Sequence, residues 1–169
     1  MHSDILALYG RSFRAQLYLN SARGLKPLRL SRSDDSFSWT GIAEDDWLQV
    51  GSAGQSPAMN FVFRHSSSDR LYFDITLPGP PRDSSGQGSA KRLGISINGF
   101  LGFYWVADVT EPWKIEPLAM DESGLLCHLR DHLGQRVAIR PGNTMRNGQR
   151  AQWLNTLEGQ VQTFVLRQA

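Results

Sequence analysis

The sequence feature that most restricts the fold is a short motif that occurs three times at nearly equal intervals. In each copy an aromatic residue is followed, two positions later, by an apolar residue: Phe61-Val62-Phe63, Trp113-Lys114-Ile115 and Phe164-Val165-Leu166. The aromatic residues are 52 and 51 positions apart. Because equal spacing indicates repeated structural units, we expect one domain of three units, at about 5–63, 64–115 and 116–168. We also expect all three aromatic residues to be buried.

The composition is that of a single globular domain. The chain has 169 residues, of which 40% are hydrophobic and 20% charged, so it can bury a core and is not disordered throughout. Its one cysteine, Cys127, cannot form an internal disulfide, and an oxidising compartment is therefore not required. No apolar run approaches the ~20 residues of a membrane-spanning helix, and the first residues lack the features of a secretory signal. We expect a cytoplasmic protein, or one exported without a cleavable signal peptide.

Alternation of apolar and polar residues with a period of two predicts β-strands along most of the chain. Residues 15–19, 47–50, 71–75 and 137–139 have this pattern or the β-branched and aromatic content typical of strands. Residues 95–101 predict a hairpin, because Asn98-Gly99 can take the two positive φ angles of a tight type I′ turn. No stretch of about a dozen residues has a helical stripe of apolar side chains. The predicted class is therefore all-β.

Residues 78–91 differ in composition from the rest of the chain. They are rich in Pro, Gly and Ser and contain no large apolar residue, which favours a solvated loop over packed structure. Because segments typical of strands flank this stretch, we expect a mobile loop inserted into the domain rather than a linker between domains.

Two further features recur with the aromatic motif. A tryptophan followed by an apolar residue precedes each copy, and a glycine precedes a strand earlier in each unit. The tryptophans are Trp47, Trp105 and Trp153, and the glycines are Gly24, Gly99 and Gly134. The order of glycine, tryptophan and aromatic residue resembles the β-trefoil superfamily, in which three units of about four strands form a six-stranded barrel closed by hairpins. A β-sandwich or another small barrel is the alternative, because its strands and turns give the same pattern.

Two branches of that superfamily share short motifs with the chain. Gln162-Thr163-Phe164 is similar to the Gln-x-Trp motif of the ricin-B-like lectins, and Asn98-Gly99-Phe100-Leu101 is similar to a turn of the fascin-like trefoils. The other two copies of the aromatic motif lack the glutamine. The two branches stay open as alternatives.

The resemblance to the ricin-B-like branch implies at most one carbohydrate site. Sugar binding in that branch uses an aspartate early in a unit, an aromatic residue and a side-chain amide. Asp131 stands at about the expected place in the third unit, with Gln149 or Gln152 as the amide. Asp74 is a weaker match in the second unit, and the first unit departs from the pattern with Asn20.

Trp39 is a further candidate for ligand contact. It lies outside the repeat pattern, in the polar segment Asp-Ser-Phe-Ser-Trp-Thr-Gly. An aromatic side chain there could stack on a sugar ring or fill a partner's pocket, and the alternative is that it folds back onto the barrel.

Arginine residues are concentrated in two stretches, although the formal net charge is only +2. One stretch spans residues 11–32. The other is the candidate surface for an anionic partner and consists of Arg130, Arg136, Arg140, Arg146 and Arg150. The simpler interpretation of such runs is that the arginines occupy solvated strand and loop positions. We do not expect nucleic acid as a partner.

The sequence contains no recognised catalytic motif. His128, Asp131 and His132 lie close together beside Cys127. On a helix the two histidines could bind zinc together, but a strand that runs into a turn separates them. Cys127 is flanked by leucines and is predicted to be a buried packing residue. We expect neither an enzyme nor a bound metal or cofactor.

The leading hypothesis is a non-catalytic binding module for carbohydrate. The alternative is a protein–protein interaction module, such as an adaptor, an inhibitor or a toxin accessory. A third hypothesis is a binder of anionic polymers through the arginine-rich edges, which would make retention on such a polymer strongly salt-dependent. The sequence specifies neither the ligand nor the oligomeric state.

Overall fold

The computed structural model describes residues 3–31, 46–79, 90–104, 111–144 and 148–169. Strands account for 61% of these residues, and the one helix among them, α1, covers Ser3–Tyr9. The described strands are β1 Phe13–Ser21, β2 Gly24–Leu30, β3 Asp46–Val50, β4 Ala58–Ser66, β5 Leu71–Thr76, β6 Arg92–Ile95, β7 Leu101–Tyr104, β8 Trp113–Asp121, β9 Gly124–Arg130, β10 Ala138–Thr144, β11 Arg150–Asn155, β12 Gln160–Val161 and β13 Phe164–Gln168. The all-β prediction is confirmed. Sequence reasoning missed α1 because seven residues are too few to establish a periodic apolar stripe.

Nine strands form a closed antiparallel barrel. Their order is β1-β2-β3-β7-β6-β5-β8-β9-β13, and β13 pairs with β1 to complete the circuit. Strand β4 pairs with the first half of β1 and with β5. It thereby closes a shorter circuit of six strands, β1-β4-β5-β8-β9-β13. The closed circuits make the molecule a barrel rather than the alternative β-sandwich.

Three hairpins close one end of the six-stranded circuit, which we call the hairpin end. They are β2–β3, β6–β7 and β10–β11. Each contacts the other two: Trp47 pairs with Gly102, Gln49 pairs with Trp153, and Phe100 forms a bridge with Asn155. A small aromatic cluster holds them together, in which the Trp47 ring stacks on Phe100 at 5.0 Å and meets Trp153 edge-on at 5.5 Å.

Helix α1 covers the opposite end of the barrel, which we call the helix end. The β4–β5 and β8–β9 turns also lie there, as the strand registers require. Ile5 and Tyr9 project from α1 into the barrel core. The Tyr9 hydroxyl donates a hydrogen bond to the Leu166 carbonyl oxygen at 3.3 Å, and the Gln168 side chain donates one to the Leu8 carbonyl oxygen at 2.9 Å.

The three repeated aromatic residues lie in the barrel core. Phe61 in β4, Trp113 in β8 and Phe164 in β13 are 1%, 4% and 0% exposed, so their predicted burial is confirmed. Phe61 stacks on Phe13 at 5.2 Å and meets Phe73 edge-on at 5.8 Å. Burying side chains of this size away from water is the main force that stabilises such a barrel.

The β6–β7 hairpin is confirmed, but its predicted type I′ turn is wrong. No residue other than glycine has a positive φ among the described residues, so Asn98 lacks the φ that this turn requires. The Gly99 N–H donates to the Ser96 carbonyl oxygen, and Gly99 has a φ of 81°. The connection is thus a three-residue loop that ends in a left-handed glycine. The Ser96 hydroxyl favours it by accepting a hydrogen bond from the Phe100 N–H at 3.1 Å.

Candidate functional site

Three turns at the hairpin end are joined by hydrogen bonds into one surface. We call this surface, residues 96–99, 131–135 and 155–158, the turn platform. Asn155 is fully buried at its centre. The Asn155 amide nitrogen donates to the Asn98 carbonyl oxygen at 2.9 Å, and its oxygen accepts the N–H groups of Leu157 and Glu158 at 2.8 Å each. One side chain therefore fixes the β6–β7 turn against the turn that follows β11.

Asp131 organises the third turn of the platform. Its carboxylate accepts the Gln135 N–H at 2.8 Å. Its backbone N–H donates to the Gln135 carbonyl oxygen, and its carbonyl oxygen accepts the Gly134 N–H, at 3.0 Å each. The side-chain amide of Gln135, with its nitrogen turned inward, lies 3.2 Å from Asp131 Oδ2 and 3.3 Å from the Thr156 carbonyl oxygen. Gln135 thus connects this turn to the turn after β11.

The platform exposes three large apolar side chains beside one ion pair. Ile97 is 95% exposed, Leu133 is 72% exposed and Leu157 is 57% exposed. Of the two carboxylates in these turns, Asp131 is buried, and Glu158 pairs with Arg140 at 3.0 Å. Single exposed leucines are ordinary on protein surfaces. Three on turns that hydrogen bonds join at one end of the barrel favour an interaction site there.

A small cleft of about 10 Å³, room for about one water molecule, borders the platform. Leu93, Gly94, Ile95, Glu111, Trp113 and His132 line it. The Trp113 indole N–H donates to the Leu93 carbonyl oxygen at 3.0 Å, so this donor is already used. Nδ1 of His132 is buried and has no hydrogen-bond partner within the described part of the chain.

The residues predicted to bind sugar do not form one obvious site. Asp131 is 1% exposed and holds its own turn, as described above. Gln149 and Gln152 are exposed on the β10–β11 hairpin. Asp74 is buried in β5, where its carboxylate pairs with Arg64 and Arg92. Trp39 lies outside the described residues, and the sugar-site assignment stays a prediction that this geometry does not strengthen.

The predicted anion-binding arginines are largely engaged within the protein. Glu116 binds Arg130 at 2.7 Å and Arg136 at 3.1 Å. The hydrogen bond from Arg130 is the main reason why the pKa of Glu116 is lowered to about 2. Arg140 pairs with Glu158 and lies over the Phe100 ring at 5.3 Å. Arg150 is exposed at the start of β11, and Arg146 lies outside the described residues.

The structure also shows the surroundings of the residues considered as a nucleophile or as metal ligands. Cys127 is fully buried, and burial raises the pKa of its thiol to about 12, so its prediction as a packing residue is confirmed. Nδ1 of His128 lies 2.9 Å from the Gln162 carbonyl oxygen. In the described ranges no group of three His, Cys, Asp or Glu side chains is arranged to hold a metal ion. Nor does any described helix have the length and apolar character needed to cross a membrane.

Sequence reasoning missed the residues that form the platform. Asn155 carries no pattern that distinguishes it from a surface asparagine. Ile97 and Leu133 did carry a signal, since each is an apolar residue in a turn, one beside Asn98-Gly99 and the other directly before Gly134. Apolar residues at turn positions could have been identified as candidates for contact with a partner.

Comparison of the chain with protein-family models, with curated proteins and with solved structures found no match. The resemblance to the β-trefoil superfamily, and to either of its branches, therefore stays a prediction. Function has to be argued from the site itself.

Proposed function

We propose that the chain is a non-catalytic binding module of the β-trefoil type that binds a protein partner through the turn platform. The trefoil assignment is supported by the six-stranded circuit, by the three mutually contacting hairpins and by the aromatic residues at equivalent places in β4, β8 and β13. Each such strand closes one of the three proposed units.

The observation that carries the function is the exposure of Ile97, Leu133 and Leu157 on three turns that hydrogen bonds join. The centres of protein interfaces are depleted in charged residues, and apolar side chains lose contact with water when a partner covers them. The buried amide of Asn155 fixes two of the three turns before binding. A fixed surface loses less conformational entropy on association than a flexible one.

The chemistry of the platform favours a protein over the other two ligand classes. The platform contains no Trp, Tyr or Phe on which a sugar ring could stack. It also lacks arginine and lysine, whose charge would be needed to attract an anionic polymer. Carbohydrate binding through Asp131, Gln149 and Gln152 stays a prediction, which glycan-array screening with tryptophan-fluorescence titration would test.

A matched pair of triple variants tests the proposed function. The platform variant carries Ile97→Ser, Leu133→Ser and Leu157→Ser. The control variant carries Leu6→Ser, Leu8→Ser and Leu118→Ser, which remove exposed leucines on or near the helix end. Both variants and the natural chain are immobilised at equal density and used to capture proteins from the lysate of the native host.

We expect the natural chain and the control variant to retain the same proteins, and the platform variant to lose them. Circular dichroism and a thermal melt confirm that both variants fold. Equal retention by all three chains, or a loss confined to the control variant, would contradict the proposal.

A further inference from the structure

An open cavity is formed by β2 and the loop that connects β3 to β4. Its volume is about 230 Å³, and the described residues that line it are Arg29, Leu30, Gln55 and Pro57. Pockets for drug-sized ligands usually have volumes of about 300–1,000 Å³. This cavity is therefore large enough for a smaller molecule or for the end of a chain. It shares no residue with the turn platform.

Arg29 is the one charged residue among the four described residues that line the cavity. Its side chain is half-buried, yet its guanidinium forms neither an ion pair nor a hydrogen bond within the described part of the chain. A guanidinium offers five N–H donors. Partial removal of a charged group from water costs free energy unless a partner compensates for it. An anion in the cavity would supply both the opposite charge and the missing acceptors.

The loop beside Arg29 is fixed to β2 at both of its ends. The Gly51 N–H donates to the Pro27 carbonyl oxygen at 2.8 Å, and the Ser56 hydroxyl accepts the Leu28 N–H at 2.8 Å. Because hydrogen bonds anchor the loop on either side of residues 52–55, these residues are held against the strand that carries Arg29.

Two glycines let the loop backbone lie directly against the Arg29 side chain. A Cβ at Gly51 would overlap Arg29 Cγ, and a Cβ at Gly54 would lie 3.2 Å from Arg29 Nη1. Gln55, the next residue, then presents its exposed amide to the same cavity. A side chain that is already held in place loses less conformational entropy when a ligand binds.

We infer that this cavity binds a carboxylate group attached to a short apolar chain. The Arg29 guanidinium is planar and can donate two parallel hydrogen bonds to the carboxylate oxygens. The Gln55 amide is a further donor, and Leu30 and Pro57 supply apolar surface for the chain. A single guanidinium suits the one negative charge of a carboxylate better than a phosphate monoester, which carries about −1.5 to −2 charges at pH 7.

An NMR titration of the full chain with small probes tests the inference. The probes are butyrate, butyramide, which has the same shape without the charge, and inorganic phosphate, which lacks the apolar chain. The signals followed are the Arg29 side-chain N–H and the Gln55 side-chain amide. We expect saturable shifts with butyrate at millimolar concentration, weaker binding of phosphate and no shift with butyramide.

A free organic acid and the C-terminus of a peptide both present such a carboxylate. Titration with Nα-acetyl-leucine distinguishes these two sources, because this compound has the carboxylate, side chain and amide of a peptide end. Tighter binding of butyrate would identify a free acid as the ligand, and tighter binding of Nα-acetyl-leucine would identify a peptide end. Either result supports a carboxylate site.

Variants locate the binding site. Arg29→Gln should weaken butyrate binding about tenfold or more, because it removes a charge-assisted pair of hydrogen bonds. Gln55→Ala, at an exposed position where the fold is not at risk, should weaken it about two- to tenfold. Arg23→Gln is the control, since it removes an exposed arginine from the β1–β2 turn and should leave binding unchanged. Thermal melts confirm that the variants fold.

Three outcomes would overturn the inference. They are the absence of a saturable shift with butyrate up to about 50 mM, binding of butyramide or phosphate as tight as that of butyrate, and unchanged butyrate binding in folded Arg29→Gln or Gln55→Ala. None of these outcomes affects protein capture by the platform, so the two proposals fail separately.

Discussion

The two ends of the barrel are closed by different kinds of buried side chain. At the helix end, Ile5 and Tyr9 face the core and solvent covers the rest of α1. At the hairpin end, Asn155 and Asp131 are buried while Ile97 and Leu133 face solvent. Leu6 and Leu8 are also exposed on α1, so exposed apolar side chains occur at both ends. The buried polar side chains that fix the turns distinguish the hairpin end, where we place binding.

The substitution with the largest expected effect on the free energy of unfolding is at the helix end. Tyr9→Ala should lower the free energy of unfolding by about 3–5 kcal/mol, as truncation of a buried aromatic side chain usually does. Urea unfolding measures this change. Leu8→Ala, at an exposed position of the same helix, should change it by less than about 0.5 kcal/mol. A loss below about 1 kcal/mol for Tyr9→Ala would show that α1 does not close the barrel.

The second-largest expected loss of stability follows from a substitution at the centre of the turn platform. Asn155→Ala removes the partner of the Leu157 and Glu158 N–H groups and of the Asn98 carbonyl oxygen. We expect it to cost about 2–4 kcal/mol of unfolding free energy, because several buried groups then lack partners. Asn20→Ala is the control, since the Asn20 amide bonds Thr163 at an exposed position. Equal urea-unfolding midpoints for the two variants would contradict the central place of Asn155.

The third effect concerns Glu116 and depends on pH. Its pKa is about 2 in the folded protein against an ordinary value of 4.5, mainly because of the hydrogen bond from Arg130. A lowered pKa stabilises the folded state above the unfolded value, and this stabilisation is lost as the pH falls from about 4.5 towards 2. Glu116→Gln should cost roughly 2 kcal/mol at pH 7, less than the whole shift implies, because solvent screens the half-exposed Arg136.

Urea unfolding of the natural chain and Glu116→Gln at several pH values measures this effect. The difference between the two chains should be constant from pH 7 to 5 and should shrink below pH 4.5. A difference that stays constant down to pH 2.5 would show that the arginine pair does not stabilise the ionised carboxylate.

The smallest expected effect on stability is that of the platform's apolar residues. Ile97→Ser and Leu133→Ser should each change the free energy of unfolding by less than about 0.5 kcal/mol, because neither side chain is buried. Leu157→Ser should cost somewhat more, since this side chain packs over Gly99. Thermal melts compare the three single variants. A loss above about 2 kcal/mol for Ile97→Ser would mean that the side chain stabilises the fold.

Residues whose role is set by local pattern could be predicted from the sequence. The strands follow from alternation, and the burial of Phe61, Trp113 and Phe164 follows from their repeated spacing. Cys127 was predicted correctly because its leucine neighbours indicate a core position. These features depend on the nearest residues in the chain and on the need to bury apolar area.

The platform could not be predicted because it depends on contacts between distant residues. Asn155 and Asn98 are 57 positions apart, and only the closed barrel brings them together. The sequence predicts Asp131 as a sugar ligand, whereas its carboxylate accepts the Gln135 N–H and holds a turn.

Site-specific photo-crosslinking tests the central claim most directly. A benzophenone amino acid replaces Ile97 in one chain and Leu118 in another, and each chain is irradiated in cells of the native host. Our account predicts adducts with a discrete protein partner from position 97, and none from position 118. Adducts of equal yield from both positions, or adducts from position 118 alone, would contradict it.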